Sequence, residues 1–138
     1  AVLDMDGDGV PEVVLELSRN DTPDFYEILH AADGAVRGYF VVYRGLEELK
    51  ADGSFYFSNG AADGGWGKMQ FGEKAFEPDV LGYSESRQED ADMTVSYFIG
   101  NEPATKEAYD AFMAEQFGKP GAVWHEFSQQ EIETELFA

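Results

Sequence analysis

Apolar and polar residues alternate near the start of the chain. Residues 13–18 read VVLELS, which places Val13, Leu15 and Leu17 on one face and polar side chains mainly on the other. A period of two is typical of a half-buried strand. The pattern predicts a strand here, preceded by the end of another strand at residues 1–3.

A β-hairpin follows. The runs at residues 25–31 and 36–43 are rich in apolar and aromatic residues and are separated by a segment containing Asp33-Gly34. Asp-Gly between two such runs is a strong hairpin signal, because a type I′ turn needs positive φ at both central positions. The polar stretch 19–24 predicts the turn that leads into this hairpin.

The middle of the chain predicts more strands, separated by turns. The segment 59–67 contains four glycines among nine residues, which indicates a loop or a bulged strand. The polar run 84–92 indicates a solvated loop. Leu46–Lys50 is expected to form one helical turn, followed by a turn at Asp52-Gly53. The remaining strand candidates are 54–58, 68–71, 80–85 and 93–99.

The last third changes to a helical period. KEAYDAFMAEQF follows Thr105, a suitable N-cap, and precedes Gly118, which stands where a left-handed C′ residue belongs. One stripe of this helix is apolar: Ala108, Tyr109, Phe112, Met113 and Phe117.

A second helix is predicted from Ser128. The sequence SQQE forms a capping box with Glu131, and Phe127 and Ile132 are placed as a hydrophobic staple. Strands followed by two helices predict an α+β domain, a curved antiparallel β-meander of about six or seven strands with both helices packed on it. We interpret residues 1–138 as a single domain. Because Ala1 already reads as part of a strand, we expect a segment upstream of it.

The charge balance narrows the classes of partner. Nine Lys and Arg residues against 28 Asp and Glu residues give a net charge of −19. Such a surface repels phosphate, which argues against nucleic acid and anionic membranes as partners. The chain has no cysteine, which excludes thiol catalysis and disulfides, and no apolar run long enough to span a bilayer.

Residues 4–12 carry the clearest chemistry, reading DMDGDGVPE. Carboxylates at Asp4, Asp6 and Asp8 would repel one another without a cation, and Ca²⁺ takes six to eight oxygen ligands. We expect side-chain ligands from these three residues and from Glu12, with the Val10 carbonyl as a backbone ligand.

This loop is not an EF-hand. The twelfth position, where an EF-hand has its bidentate Glu, is Leu15, and a strand follows instead of a helix. The pattern resembles the DxDxDGxx[DE] calcium loops of FG-GAP and related propeller repeats, in which such a loop links adjacent strands. A propeller needs many copies and this chain has one, so that fold is not expected.

A wider resemblance covers most of the chain. The segments LDMDGDGVPEVVLEL, YEILHAADGAVRGY, NGAADGGWGKMQF and WHEFSQQEI are similar to small secreted or lipid-anchored domains of Gram-positive, gut-type bacteria. The resemblance implies an extracellular or cell-surface location and supplies no activity.

A second candidate site lies in the glycine-rich segment. Asn59, Asp63 and Trp66 could bind a sugar by hydrogen bonds and stacking, although Trp66 packed in the core is the interpretation we favour. The histidines, His30 and His125, have no accompanying nucleophile motif and are interpreted as structural or surface residues. No catalytic residue is assigned.

Together these features suggest a calcium-stabilised extracellular domain that binds a protein or glycan without catalysis. Two alternatives stay open. One is a hydrolase that uses carboxylates near the glycine-rich segment, and the other is a purely structural module of a larger surface protein.

Overall fold

The computed structural model describes residues 1–72 and 75–137. Within them lie nine strands, two α-helices and a 3₁₀ turn at Tyr43–Gly45. The strands are β1 Val2–Leu3, β2 Glu12–Arg19, β3 Thr22–Ala32, β4 Ala35–Val42, β5 Phe55–Ser58, β6 Gly64–Phe71, β7 Phe76–Glu89, β8 Asp92–Ile99 and β9 Glu102–Ala104. The helices are α1 Lys106–Phe117 and α2 Gln129–Leu136.

The strands form two antiparallel sheets in chain order, β1–β4 and β5–β9. The α+β class is therefore confirmed, while two sheets replace the single meander. Residues 43–54 separate the two sheets. The helical turn predicted at Leu46–Lys50 does not form, so that prediction is wrong. Leu46 and Leu49 are buried in the core, and Glu47 and Lys50 form isolated bridges to Tyr56 and Gly121.

Tight turns join β2 to β3 and β3 to β4. Asp33 and Gly34 have φ of 52° and 74°, which confirms the predicted hairpin. Asn20 and Asp21 adopt the same left-handed region, with φ of 51° and 61°. Both turns use residues that tolerate positive φ.

The predicted loop at residues 84–92 is wrong, because β7 continues to Glu89 and pairs with β8 down to Asp92. Strand β6 pairs with β7 only as far as Ser84, and β9 pairs with β8 only at its other end. The hairpin tip is therefore a two-stranded ribbon. Since solvent reaches both of its faces, its sequence lacks the apolar alternation that marks a half-buried strand.

The predicted helices are confirmed, with corrections at their ends. Thr105 and Ser128 accept hydrogen bonds from the N–H groups of Ala108 and Glu131, as N-caps do. Gly118 has φ −76°, so the predicted left-handed conformation is wrong. The last turn tightens instead: the Gly118 N–H donates to the Ala114 carbonyl at 3.0 Å, and the Lys119 N–H donates to the Gln116 carbonyl at 3.2 Å.

The capping box of α2 is half formed. The Glu131 carboxylate lies 2.9 Å from Nδ1 of His125, while the Ser128 N–H donates to the carbonyl of Glu126. Phe127, predicted as half of a hydrophobic staple, is 81% exposed. The Glu131 carboxylate therefore contacts His125 and not the Ser128 N–H, which it would accept in a complete capping box.

One hydrophobic core draws on both sheets. Its fully buried members include Val14 and Ile28 from the first sheet and Phe55 and Met69 from the second. Helix α1 lies against the second sheet, with the ring of Tyr109 5.1 Å from that of Tyr97. Neither helix in the described ranges is long and apolar enough to cross a membrane.

Candidate metal centre

The acidic loop connects β1 to β2 and is folded by its own carboxylates. Both oxygens of Asp4 accept backbone N–H groups, from Gly7 at 2.8 Å and from Gly9 at 2.9 Å. Gly7 and Gly9 have φ of 83° and 87°, a region that glycine adopts without steric cost. The two glycines therefore let the chain curl around the Asp4 carboxylate.

The next two aspartates hold the backbone that follows each of them. Asp6 Oδ1 accepts from the N–H of Asp8 at 3.1 Å, and Asp8 Oδ1 accepts from the N–H of Val10 at 2.7 Å. These contacts each engage one oxygen of the carboxylate. Each aspartate therefore stabilises the turn that follows it.

The loop brings its acids together in two overlapping groups. Ligand atoms of Asp4, Asp6 and Glu12 lie within 4.8 Å of one another, and so do those of Asp6, Asp8 and His30. Asp6 belongs to both groups. Three of the four predicted acids thus converge directly, and Asp8 joins them through Asp6.

Glu12 is the buried member of the site, with 0% exposure. Its Oε2 accepts the N–H of Met5 at 2.8 Å, and its Oε1 lies 2.8 Å from Nδ1 of His30. His30 is 6% exposed and stacks on Phe71 with ring centroids 4.4 Å apart. The carboxylate therefore joins the loop to the core.

A β-bulge makes this contact possible. Arg19 pairs with Thr22, and the same register would place Glu12 opposite Leu29. The register shifts by one residue between Leu17 and Ser18, so Val13 pairs with Leu29 instead. Glu12 then faces His30. The apolar pattern of β2 does not reveal this one-residue shift, so His30 could not be predicted to join the site from that pattern.

The turn at Asp52-Gly53 packs against the backbone of the acidic loop. Gly53 has φ 85°, and a Cβ atom on it would lie 2.8 Å from Cα of Met5 and 3.0 Å from the Asp4 carbonyl oxygen. Only a residue without a side chain fits there. The adjacent Asp52 accepts hydrogen bonds from the N–H and Oγ of Ser54 and from Nζ of Lys119.

Burial and hydrogen bonds move the carboxyl pKa values in opposite directions. Burial raises the pKa of Glu12, and the contacts with His30 and Met5 only partly oppose that rise. For Asp4, desolvation would raise the pKa, but the N–H groups of Gly7, Gly9 and Asp8 together lower it. A bound cation would favour the ionised form of both acids.

The donor set fits a hard divalent cation. Asp4, Asp6, Asp8 and Glu12 offer carboxylate oxygens from one short loop, as Ca²⁺ requires. Val10 lies in the loop beside them, with its N–H held by Asp8. The nitrogen of His30 is the one donor in the cluster that Ca²⁺ does not favour, and its contact with Glu12 makes it an outer partner of the site.

The second predicted site is only partly assembled. Asn59 and Asp63 line a shallow cavity of about 380 Å³ beside β7, but Trp66 is fully buried and does not line it. The Trp66 ring packs 5.0 Å from that of Phe117, so the sugar-stacking role has no exposed ring. Both Asp63 oxygens accept from Ser86, which lowers the pKa of Asp63.

A further cluster of titratable side chains brings His125 together with two glutamates of α2. His125 Nδ1 lies 2.9 Å from Glu131, and its Nε2 lies 3.8 Å from Glu135. The two glutamates are one helical turn apart on α2 and therefore share a face. The sequence predicted Glu131 only as part of a capping box and assigned Glu135 no role, because the spacing of two acids among many carries no signal without the histidine beside them.

Comparison with family models, curated proteins and solved structures found no match to this chain. The function is therefore argued from the geometry of the molecule.

Proposed function

We propose that this chain is a calcium-stabilised extracellular or cell-surface domain that binds a protein or glycan and does not catalyse a reaction. The observation that carries the proposal is the convergence of the Asp4, Asp6 and Glu12 ligand atoms within 4.8 Å. Glu12 is wholly buried, so a cation held there would couple the loop to the core. Calcium in this role stabilises the fold instead of signalling.

The choice of calcium follows from ligand type. Carboxylate oxygens suit Ca²⁺, Mg²⁺ and Mn²⁺, and a flexible loop of several carboxylates suits the large coordination number of Ca²⁺. Extracellular modules bind Ca²⁺ at roughly 10⁻⁴–10⁻³ M, a concentration range found outside cells. The location and the metal therefore support each other.

The binding role is supported by the outer face of the first sheet, the face turned away from the core. Cross-strand pairing aligns Leu17, Phe25 and Val42 in one row over three strands, and all three side chains are exposed. Phe40, on the same face, is 66% exposed. A contiguous apolar row of this kind is typical of an interaction surface.

The glycine-rich segment argues against the hydrolase alternative. A general acid needs a raised pKa, whereas hydrogen bonds from the Ser86 hydroxyl and N–H lower the pKa of Asp63. An acid held ionised by two donors suits a structural role in the turn before β6.

Chelation tests the proposal. With free Ca²⁺ at ten times its dissociation constant, binding stabilises the fold by about 1.4 kcal/mol, which is roughly 3–6 °C in melting temperature for a domain of this size. We expect EDTA to remove this increment and Ca²⁺ to restore it. Mg²⁺ at the same concentration should restore less, because its smaller, strictly octahedral shell suits the loop poorly.

Two variants locate the effect. Asp6→Ala should abolish the response to EDTA, because Asp6 belongs to both groups of converging ligands. Glu115→Ala, an exposed acid on α1, removes the same charge away from the loop and should keep the full response. An unchanged melting temperature of the unmodified chain in EDTA would overturn the calcium proposal.

A further inference from the structure

Strand β4 lies at one edge of the first sheet. It pairs with β3 along its whole length without a register shift, and no strand pairs with its other side in the described ranges. Ala32 and Ala35 close the two-residue turn of this hairpin and therefore form a hydrogen-bonded pair. Because backbone groups alternate between the two edges of a strand, every second residue of β4 points its N–H and C=O away from β3. These residues are Val36, Gly38, Phe40 and Val42.

This edge lies on the far side of the sheet from β1. The strand order is β1–β2–β3–β4, so β2 and β3 separate the two outer strands. With about 4.8 Å between neighbouring strands, β1 and β4 are roughly 14 Å apart. A segment in line with β1 adds to the edge of β2, so it does not reach β4.

β4 lacks the features that hinder pairing at two other edges of the protein. The tip of the β7–β8 ribbon carries Glu85, Glu89 and Asp92. Strand β9 is three residues long and contains Pro103. β4 has eight residues without acid, proline or bulge, and its one charged residue is Arg37. Since charges, prolines and short strands keep an edge from pairing with other chains, β4 is an edge left free to pair.

The side chains on this edge are complementary in size when two copies of β4 are placed antiparallel about Tyr39. Val36, Phe40 and Val42 are each at least 60% exposed, and Gly38 has no side chain. In this register Phe40 lies opposite Gly38 and Val36 lies opposite Val42, and each pair occurs twice. An aromatic ring that covers a glycine of the neighbouring strand stabilises a sheet. A centre at Gly38 leaves Val42 without a β4 residue opposite it, and a centre at Phe40 does the same to Val36.

The charges near β4 allow two copies to approach. The chain as a whole carries a charge of −19, but residues 35–45 contain Arg37 and Arg44 and no acid. Glu27 of β3 lies over Gly38, with its Oε1 2.8 Å from the position that a Cβ atom would take. In the pair, the Phe40 ring of the second copy takes that place and the Glu27 side chain turns to solvent.

We propose that β4 pairs antiparallel with β4 of a second copy, centred on Tyr39, and joins two four-stranded sheets into one sheet of eight strands. The backbone groups that point away from β3 form the hydrogen bonds between the copies. The apolar row of Leu17, Phe25 and Val42 then continues across the contact through Val36 of the second copy. A two-fold axis closes the pair, so association stops at two copies.

This inference goes beyond the proposed function and does not depend on it. The acidic loop lies between β1 and β2, at the other side of the sheet, so the dimer should persist in EDTA. Sedimentation equilibrium should show a reversible monomer–dimer equilibrium. Added NaCl should tighten it several-fold, because two chains of charge −19 repel each other and salt screens that repulsion.

Amide exchange locates the contact on β4. The N–H groups of Val36, Gly38, Phe40 and Val42 should exchange more slowly by about tenfold or more in the dimer, because only there do they gain a partner. The N–H of Tyr39 is already bonded to β3 and should change little.

Cysteine pairs test the register. The chain has no cysteine, so each introduced thiol is the only one present. Val36→Cys mixed with Val42→Cys should form a disulfide-linked dimer on mild oxidation, since opposite residues of a hydrogen-bonded pair have Cα atoms about 5.5 Å apart. Either variant alone should cross-link much more slowly, because its own residue in the second copy lies six positions away along the strand.

Two substitutions move the equilibrium in opposite directions. Phe40→Lys places a charge on the edge and should weaken dimerisation by about tenfold or more. Met93→Lys is the matched control, since Met93 is 65% exposed on the β7–β8 ribbon, and it should leave the dimer intact. Glu27→Gln removes an acid beside the contact and should strengthen dimerisation by about two- to fivefold.

Specific results would overturn the inference. A chain that stays monomeric at high protein concentration and high salt would show that β4 does not pair with itself. A dimer that tolerates Phe40→Lys, or equal cross-linking in mixed and single variants, would place the contact elsewhere. Growth beyond two copies would show unspecific edge association. A monomer that keeps its response to EDTA would remove the dimer and leave the calcium proposal standing.

Discussion

Two histidine–carboxylate pairs of nearly equal length lie in very different surroundings. His30 Nδ1 and Glu12 Oε1 are 2.8 Å apart, with side-chain exposures of 8% and 0%. His125 Nδ1 and Glu131 Oε2 are 2.9 Å apart, with exposures of 26% and 36%. The comparison shows that distance alone does not tell what such a contact contributes, because solvent weakens the second pair and is excluded from the first.

The surroundings also differ in how many elements hold each pair. Glu12 begins β2, His30 lies near the end of β3, and the Met5 N–H fixes the second oxygen of Glu12. His125 lies in the segment before α2, and its ring nitrogens face two glutamates of that helix. The buried pair therefore has one arrangement, whereas the surface pair can exchange partners.

The largest effect is expected at Glu12. Glu12→Ala leaves the Met5 N–H and His30 buried without their partner, which should lower the free energy of unfolding by about 3–5 kcal/mol. Glu131→Ala removes a partly exposed acid and should cost under about 1 kcal/mol. Urea unfolding of both variants in EDTA gives the comparison without bound calcium. Equal losses of unfolding free energy in the two variants would mean that burial does not determine how much each pair contributes to stability.

The buried pair shows how much of the site local sequence can predict. The loop from Asp4 to Glu12 was predicted from spacing alone, because its turns depend on neighbouring aspartates and glycines. His30 was not predicted to join it, because its contact with Glu12 depends on the bulge after Leu17. Contacts that depend on register between strands are invisible to a motif.

The same distinction holds for the fold. The caps Thr105 and Ser128 act within one turn of their helices, and both were predicted. The tip of the β7–β8 ribbon has solvent on both faces, and the bridges of Glu47 and Lys50 depend on partners outside their own segment, so alternation and propensity gave no sign of them. Local chemistry set the helix starts and the tight turn at Asp33-Gly34, while the division into two sheets came from packing.

The next effect concerns the turn behind the loop. Gly53→Ala forces a side chain into a left-handed conformation and against the Met5 backbone, so we expect a loss of about 2–3 kcal/mol and a weaker calcium response. Gly121→Ala is the matched control, since nothing lies within 4 Å of its Cβ position and its φ is ordinary. Thermal unfolding with and without Ca²⁺ measures both. An unchanged melting temperature and calcium response in Gly53→Ala would show that the close packing of this turn against Met5 does not stabilise the loop.

Asp52 is about as exposed as Glu131, but it accepts hydrogen bonds from both Ser54 and Lys119. Burial would raise the pKa of Asp52, but hydrogen bonds from Ser54 and Lys119 lower it to about 2, below its ordinary 3.8. A lowered folded-state pKa stabilises the fold above pH 4 and loses that contribution as the pH falls from about 4 to 2.

Because the Asp52 side chain is 39% exposed, screening reduces the contribution to about 1 kcal/mol. Asp52→Asn should be less stable than the unmodified chain by that amount at pH 7, with the gap closing towards pH 2. Urea midpoints across this range, in EDTA, measure the gap. A gap that stays constant with pH would show that the variant acts through packing instead of charge.

The smallest effect belongs to the surface pair itself. A double-mutant cycle of His125→Gln and Glu131→Gln should give a coupling free energy of about 0.2–1 kcal/mol, and less at high salt. Because Glu135 lies 3.8 Å from Nε2 of the same ring, it can take over part of the contact. Repeating the cycle in a Glu135→Gln background should therefore raise the coupling. A coupling that does not change in that background would mean that the two glutamates act independently, and the surface histidine would then resemble the buried one in having a single fixed partner.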